Sequence, residues 1–153
     1  MGRKGFQVIS GVVIRPLKQI SDQRGKVMHM LRNDSELFMG FGEVYFSLIY
    51  RGMIKAWKNH LKMTQHLAVP IGKIKLVIYD GRKGSSTYKL IQEIELGEEN
   101  YCLVRIPPQV WYGFQGVSTA PALIVNCPDL AHDSQESESL EPQSELIPFS
   151  WSK

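Results

Sequence analysis

The side chains best suited to chemistry in this sequence are Lys58, His60 and Gln65, which lie in the stretch 52–72. One imidazole with one neutral amide is a poor site for iron, manganese or zinc, which prefer several histidine, cysteine or carboxylate ligands. An ammonium group beside an imidazole is suited to binding an anion and to moving protons. The stretch therefore predicts a site without metal or other cofactor that handles protons.

Alternation along a strand decides where these side chains point. Residues two apart on a strand face the same side, so Lys58 and His60 point together. If Ile54 and Ala56 face the interior of the fold, Lys58 and His60 face it as well. We therefore expect both polar side chains to line an internal cavity.

The spacing of the same stretch resembles the first motif of the cupins, whose metal-binding members carry His, His and Glu at the three positions named above. The second cupin motif, Pro-x-Gly-x-x-His, is matched in spacing by residues 107–112, with Gln in place of Gly and Tyr112 in place of His. The resemblance implies that Tyr112 lies near Lys58 and His60 in a barrel that has lost the usual metal ligands.

The rest of the chain reads as a series of short strands. Short apolar or alternating runs are separated by turn residues, and no segment has a long helical period. The clearest run is 73–80, where Ile74, Leu76 and Ile78 share one face. The predicted strands are 6–15, 26–31, 43–49, 53–58, 66–71, 73–80, 87–96, 101–106, 109–114 and 121–126. This pattern predicts an all-β double-stranded β-helix, the cupin jelly roll.

One cupin domain over residues 1–153 accounts for the whole sequence, since this length suits one core. The Ser/Glu-rich stretch 133–145 has little apolar surface to bury and is expected to be an exposed polar segment. Residues 146–153 are apolar again, so we expect them to dock back onto the body. Cys102 and Cys127 lie in strand-like runs and are expected to be reduced core thiols.

The charge distribution favours an anionic ligand. Residues 1–105 carry 17 Lys and Arg against 9 Asp and Glu, which suits a nucleotide or diphosphate sugar. Nucleic acid is not expected as a partner, because the basic residues are spread singly rather than clustered. No apolar run approaches the roughly 20 residues that span a bilayer, and the first ten residues lack a signal-like apolar stretch, so we expect no membrane partner and a cytoplasmic protein.

Several motifs in order are similar to the dTDP-4-dehydrorhamnose 3,5-epimerase family of cupins, and more closely to a shorter, divergent branch of it. These motifs are Ser-Asp-Gln-Arg-Gly at 21–25, Glu-Val-Tyr-Phe-Ser at 43–47, Gly-Met-Ile-Lys-Ala-Trp-Lys at 52–58, Tyr-Asp-Gly-Arg at 79–82, Ser-Thr-Tyr at 86–88, Ile-Pro-Pro at 106–108 and Ile-Pro-Phe-Ser-Trp at 147–151. The resemblance implies a metal-free homodimeric jelly roll that acts on dTDP-4-keto-6-deoxy sugars.

The implied reaction removes a proton α to the C4 ketone and returns it on the other face. By resemblance, Arg24 and Lys55 are placed to contact the nucleotide phosphates, with Lys55 replacing the more usual Arg. Lys58 occupies the place of the family's basic His. The family's acidic Tyr aligns near Asn126 or His132.

The roles within this set stay open at the level of sequence. A buried neutral Lys58 can abstract the proton, whereas an ionised Lys58 would stabilise an enolate and leave His60 as the base, with Tyr112 or His132 as the acid. Alternatively, Lys58 only meets the phosphates or pairs with Glu43.

The remaining expected substrate contacts are Glu43 and Gln65, together with Trp57, whose indole would stack on a base or a sugar. Two functions follow from the sequence. One is a nucleotide-sugar epimerase or isomerase of polysaccharide biosynthesis. The other is a cupin that has lost catalysis and serves as a sugar-nucleotide binding or assembly protein.

Overall fold

The computed structural model describes residues 8–152 and is built from antiparallel strands. The strands are β1 (Val13–Pro16), β2 (Gln19–Asp22), β3 (Gly25–Met28), β4 (Tyr45–Ile49), β5 (Ile54–His60), β6 (Gln65–Ile71), β7 (Lys73–Tyr79), β8 (Ile91–Gly97), β9 (Cys102–Ile106), β10 (Trp111–Gly116), β11 (Ala122–Asn126) and β12 (Ser137–Ser139). Within these residues, no helix is long and apolar enough to cross a membrane.

Two five-stranded sheets form the barrel. The first has the order β1-β9-β6-β11-β4 and the second the order β12-β5-β10-β7-β8, while β2 and β3 form a separate hairpin. Non-consecutive strands lie side by side in both sheets, as in a jelly roll. The predicted all-β double-stranded β-helix is confirmed.

The main apolar core lies between the two sheets. The alternation predicted for β7 is present: Ile74, Leu76 and Ile78 are fully buried in this core, which also contains Leu67 and Ile124 from the first sheet. Burying each such side chain contributes about 1.5–3 kcal/mol. The apolar side chains of facing strands thus hold the two sheets together.

A second apolar cluster covers the other face of β5 and β7. The C-terminal segment packs Ile147 and Trp151 against Trp57, whose indole is 1% exposed and donates a hydrogen bond to the carbonyl of Pro142 at 3.2 Å. Trp57 and Leu140 exchange two backbone hydrogen bonds. The chain after β11 is thereby fastened to β5.

Two segments differ from their predicted form. The predicted loop 21–25 is the end of a hairpin, in which Asp22 of β2 pairs with Gly25 of β3. The stretch 133–145, expected to be exposed, contains β12 and buries Glu136, which is 6% exposed. The composition of the segment does not predict this burial, because a carboxylate can be buried when neighbouring groups donate hydrogen bonds to it.

The turn before β10 contains a residue other than glycine in the left-handed backbone conformation. Gln109 has φ +69° and occupies the place of the Gly in the cupin second motif. This conformation costs a non-glycine residue on the order of 1–2 kcal/mol. Its backbone N–H donates to the carbonyl of His60 at 2.6 Å, so the turn secures the end of β5.

A buried carboxylate fixes the turn after β7. Asp80 is fully buried and accepts hydrogen bonds from Arg82, Ser85 and Thr87, with the two hydroxyl donors each at 2.6 Å. Burial alone would raise the pKa of Asp80, but these hydrogen bonds outweigh it and hold the pKa well below its usual range. The ionised form therefore stabilises the folded state.

We expect Asp80→Asn to lower the free energy of unfolding at pH 7 by about 1.5–3 kcal/mol, the range for hydrogen bonds to a charged group. Because the folded pKa is lowered, the stabilisation is complete above the unfolded pKa of about 3.9 and is lost as pH falls below it. Urea unfolding at pH 7 and at pH 3 measures the free energy of unfolding of wild type and variant. The difference between the two proteins should be smaller at pH 3 than at pH 7 by about 1 kcal/mol.

The matched control is Asp34→Asn, since Asp34 pairs with Arg32 at 2.7 Å on the surface. Exposed pairs contribute about 0–1 kcal/mol, so this control should stay close to wild type. An equal effect of the two substitutions at pH 7 would contradict the role given to Asp80.

Candidate active site

Two adjoining cavities between the sheets contain most of the polar side chains of interest. The Lys55 cavity has a volume of about 350 Å³ and is bordered by Lys55, Ser47 and Asn126. The His60 cavity has a volume of about 360 Å³ and is bordered by His60. Tyr45, Lys58 and Tyr112 border both cavities. The two cavities are therefore neighbouring parts of one cleft, with Lys58 at their junction.

A bulge in β5 brings Lys55 and Lys58 to the same wall. Lys58 is paired with Tyr112 of β10 and Lys55 with Phe114, so two residues of β5 lie opposite Gly113 alone. Simple alternation would put residues three apart on opposite faces, but a bulge adds one residue and restores the common face.

The bulge corrects the expectation for the first half of β5. Ile54 and Ala56 pack against the second cluster beneath the C-terminal segment; Ile54 borders neither cavity, and Ala56 borders only the Lys55 cavity, so the strict alternation predicted from Ile54 to His60 is not kept. The peptide bond between Ala56 and Trp57 in the bulge is cis. A Cβ on Gly113 would lie 2.5 Å from the Cβ of Ala56, so only glycine fits opposite the bulge.

A carboxylate, an imidazole and a phenol form a chain of hydrogen bonds beside the His60 cavity. Glu136 Oε1 lies 2.7 Å from His60 Nδ1, and Tyr112 Oη lies 3.3 Å from His60 Nε2. A carboxylate only accepts hydrogen bonds, so Nδ1 carries the hydrogen and Nε2 presents a lone pair. His60 is thereby oriented as a proton acceptor on its Nε2 side.

The electrostatics of this chain favour a charged Glu136 and a neutral Tyr112. Burial would raise the pKa of Glu136, but hydrogen bonds from His60 and from the backbone N–H groups of Lys62 and Met63 lower it overall. Burial raises the pKa of Tyr112 well above its usual value, with smaller contributions from Tyr45 and Glu136. The Tyr112 hydroxyl is therefore protonated, and its O–H donates a hydrogen bond to His60 Nε2.

The C-terminal segment positions Glu136. β12 pairs with β5 in the register Ser137 to His60, and the carbonyl of Glu136 accepts a hydrogen bond from Leu61 at 2.8 Å. Sequence reasoning missed Glu136, and no signal distinguishes it from the other acids of the stretch 133–145.

Lys58 and Lys55 are held differently. The Lys55 ammonium donates to Ser47 Oγ at 2.8 Å and to the Leu48 carbonyl at 2.7 Å, leaving one of its three hydrogens for a ligand. Within residues 8–152, no ion pair joins the Lys58 ammonium to a carboxylate, so the alternative pairing with Glu43 is not formed. Glu43 borders the His60 cavity, as does His132 on the exposed loop after β11.

Tyr45 and Asn126 lie on the other sheet. The two are register partners on β4 and β11, and Asn126 Nδ2 donates to Tyr45 Oη at 2.8 Å. Asn126 Nδ2 also donates to Gln65 Oε1. Tyr45 was missed by the sequence reasoning, although the inward alternation of Tyr45, Ser47 and Ile49 on β4 is a usable signal.

Of the expected substrate contacts, Arg24 and Gln65 lie away from both cavities, and Trp57 borders one of them. Arg24 is at the tip of the β2–β3 hairpin, where it pairs with Asp22 at 2.7 Å, and it borders neither cavity in the described chain. Gln65 is buried behind Asn126 rather than at a cavity wall. Trp57 borders the Lys55 cavity, but its indole packs in the second cluster, 5.1 Å from the ring of Trp151. The bulge explains this last difference, because it turns Trp57 away from the wall that carries Lys58.

The donor set is poor in metal ligands. Among residues 8–152, no group of three or more His, Cys, Asp or Glu side chains is arranged to hold a metal ion. The cleft is bordered by the imidazole of His60 with its carboxylate partner Glu136, by two phenols and by two ammonium groups, with Glu43, His132 and Asp133 also at the His60 cavity. This set can abstract a proton next to a carbonyl and stabilise the charge that develops on its oxygen.

Comparison with known proteins gives consistent matches. The family model for dTDP-4-dehydrorhamnose 3,5-epimerase matches residues 7–153. The probable low-salt glycan biosynthesis epimerase Agl13 of Haloferax volcanii is 33% identical over 143 residues, 92% of this chain and 88% of that protein. The spore coat polysaccharide biosynthesis protein SpsL of Bacillus subtilis is 30% identical over 146 residues, 94% of this chain and 97% of that protein.

A solved structure is more similar still. The dTDP sugar isomerase of Desulfovibrio desulfuricans G20 is 48% identical with a TM-score of 0.92, over 94% of this chain and 92% of that one. The family resemblance predicted from the ordered motifs is confirmed. This chain belongs to the dTDP-4-dehydrorhamnose 3,5-epimerase family.

Proposed function

We propose that the protein is an epimerase or isomerase of a dTDP-4-keto-6-deoxyhexose, acting in polysaccharide biosynthesis by removing a proton α to the ketone. The observation that carries the proposal is the hydrogen-bonded chain from Glu136 through His60 to Tyr112 at the wall of the cleft. The names of the relatives, which include a dTDP sugar isomerase and a glycan biosynthesis epimerase, support the substrate class.

His60 is the base in this proposal. Glu136 holds Nδ1 and stabilises the imidazolium that forms when Nε2 takes the proton. Without substrate, the Tyr112 hydroxyl forms a long hydrogen bond of 3.3 Å to Nε2. A substrate C–H group displaces this hydroxyl, because catalytic hydrogen bonds often tighten or rearrange only when substrate is bound. The sequence leaves open whether Lys58 or His60 is the base. His60 is favoured because it is the only imidazole among residues 8–152 with a buried carboxylate partner.

The two lysines contact different negatively charged parts of the substrate. Lys55 contacts the diphosphate from its position beside Ser47, and Lys58 contacts the ketone oxygen, where negative charge develops as the enolate forms. Lys58 suits this role because no carboxylate neutralises it within the described residues. A cytoplasmic location remains a prediction of the sequence.

Deuterium incorporation tests the function. We expect the protein to introduce deuterium at C3 or C5 of a dTDP-4-keto-6-deoxy sugar in D2O, followed by NMR. His60→Asn should slow this exchange by about 10²–10⁴-fold, the usual contribution of a general base. His29→Asn is the matched control, because His29 borders neither cavity.

Tight binding of the sugar nucleotide to the wild-type protein without any exchange would contradict the proposal. It would instead support the second function, a binding or assembly protein, which the Lys at position 58 in place of the family's His also suggests.

Lys58→Met should reduce the exchange rate at saturating substrate by about 10²–10³-fold, the usual effect of removing one group that stabilises an oxyanion. The methionine keeps the unbranched side chain and removes the charge. Lys83→Met, on an exposed turn, is the control and should leave the rate unchanged. An unchanged rate in Lys58→Met would show that Lys58 does not contact the reacting ketone.

We also propose that the protein is a homodimer formed through β4. This strand is at the edge of its sheet with β11 as its sole partner in the described chain, and its outward side chains Phe46 and Leu48 are 66% and 53% exposed. Tyr50 continues the same apolar strip at 65% exposed. An open edge with an apolar face is a surface that a second copy can cover.

The double variant Phe46→Glu/Leu48→Lys should therefore be a monomer by light scattering, whereas the wild type should have the mass of a dimer. Leu146→Glu is the control, since Leu146 is just as exposed but lies in the C-terminal segment. A wild-type monomer at micromolar concentration, or a double variant that stays dimeric, would contradict this arrangement.

A further inference from the structure

Tyr45 presents a hydroxyl from the sheet opposite His60. It lies on β4 of the first sheet, whereas His60 and Tyr112 lie on β5 and β10 of the second. All three border the His60 cavity. Facing sheets are about 10 Å apart, which leaves room for one sugar ring between the two sets of groups.

The hydrogen of the Tyr45 hydroxyl is available to a ligand. The bond from Asn126 Nδ2 uses a lone pair of the Tyr45 oxygen, and it is the single protein hydrogen bond of this hydroxyl within residues 8–152. Tyr45 as a whole residue is 41% exposed, but its hydroxyl contacts Asn126, which is 3% exposed. Burial of this end raises the pKa of Tyr45, with a smaller increase from Glu43, so the phenol is protonated at neutral pH.

The neighbourhood of this hydroxyl has unused hydrogen-bonding capacity. Asn126 Oδ1 and Gln65 Nε2 are buried without a partner among the described residues. Buried polar atoms normally have partners, so the unpartnered Oδ1 of Asn126, a residue that borders the Lys55 cavity, indicates a place for a polar group of a ligand. Asn126 thus fixes the Tyr45 hydroxyl beside a spot where a sugar hydroxyl can bind.

Inversion of a carbon requires proton removal from one face and proton delivery to the other. Tyr112 is 3.3 Å from His60 Nε2, so it reaches the same face as the base. His132 is on an exposed loop at the rim of the cavity. Tyr45 is the described acid that approaches from the opposite sheet.

We propose that Tyr45 is the catalytic acid that completes inversion, in place of Tyr112 or His132; this role rests on the proposed function. His60 Nε2 takes the proton from the carbon α to the ketone, and the C–H electron pair forms the enolate. The enolate carbon then takes the proton of Tyr45 on the opposite face, using the enolate electrons for the new C–H bond and restoring the ketone. The imidazolium loses a proton to water and the phenolate gains one from water, so the net reaction is an isomerisation.

The test compares inversion with exchange in Tyr45→Phe. Removal of the hydroxyl should slow inversion by about 10²-fold or more, because the acid is lost. Deuterium exchange with retained configuration should persist, because His60 can still remove and return a proton on its own face. Both quantities come from one NMR time course of the dTDP-4-keto-6-deoxy sugar in D2O.

One control variant and one binding measurement complete the test. Tyr88→Phe makes the same change on an exposed turn, outside both cavities, and should leave inversion and exchange as in wild type. Calorimetric titration with dTDP should give the same Kd for wild type and Tyr45→Phe. Equal loss of inversion and exchange in Tyr45→Phe, or inversion at the wild-type rate, would overturn the assignment.

The outcomes also separate this inference from the proposed function. A wild-type protein that exchanges deuterium but never inverts a carbon is a one-face isomerase, which overturns the role of Tyr45 and leaves proton abstraction standing. A wild-type protein that binds without exchange overturns the proposed function, and the role of Tyr45 with it.

Discussion

The register shift between β5 and β10 determines what the cleft contains. Because Gly113 alone lies opposite two residues of β5, Lys55 turns to the same wall as Lys58. The same shift sends Trp57 to the other side, where it becomes the centre of the second apolar cluster. One extra residue in one strand therefore sets both the cationic lining of the cleft and the docking place of the C-terminal segment.

Hydrogen bonding, rather than burial alone, sets the charges at the base of the cleft. Burial alone would raise the pKa of Glu136, but hydrogen bonds from three donors outweigh burial and lower the pKa, so the carboxylate is ionised at neutral pH. Tyr112 lacks comparable donors, so burial dominates and the phenol is neutral. Two acidic groups on either side of one imidazole thus have opposite protonation states, and this difference gives His60 a defined direction for accepting a proton.

The sequence predicts the barrel well and the site only in part. The alternation of β7 and the spacing between Gly52 and Gly72 are enough to predict the fold and to place Lys58 and His60 at a common wall. The bulge that adds Lys55 to this wall depends on the partner strand, so alternation along β5 alone does not indicate it. Glu136 is equally hidden, because its burial depends on donors that are 74 and 73 positions away in the chain.

The attachment of Glu136 to the C-terminal segment makes one hydrogen bond of the cleft depend on contacts outside it. His60 belongs to β5, whereas Glu136 is held by the pairing of β12, by the backbone hydrogen bonds between Leu140 and Trp57 and by the packing of Trp151 on Trp57. Release of the C-terminal segment from Trp57 would therefore withdraw the Glu136 carboxylate from His60 Nδ1 while the apolar core between the sheets stays packed.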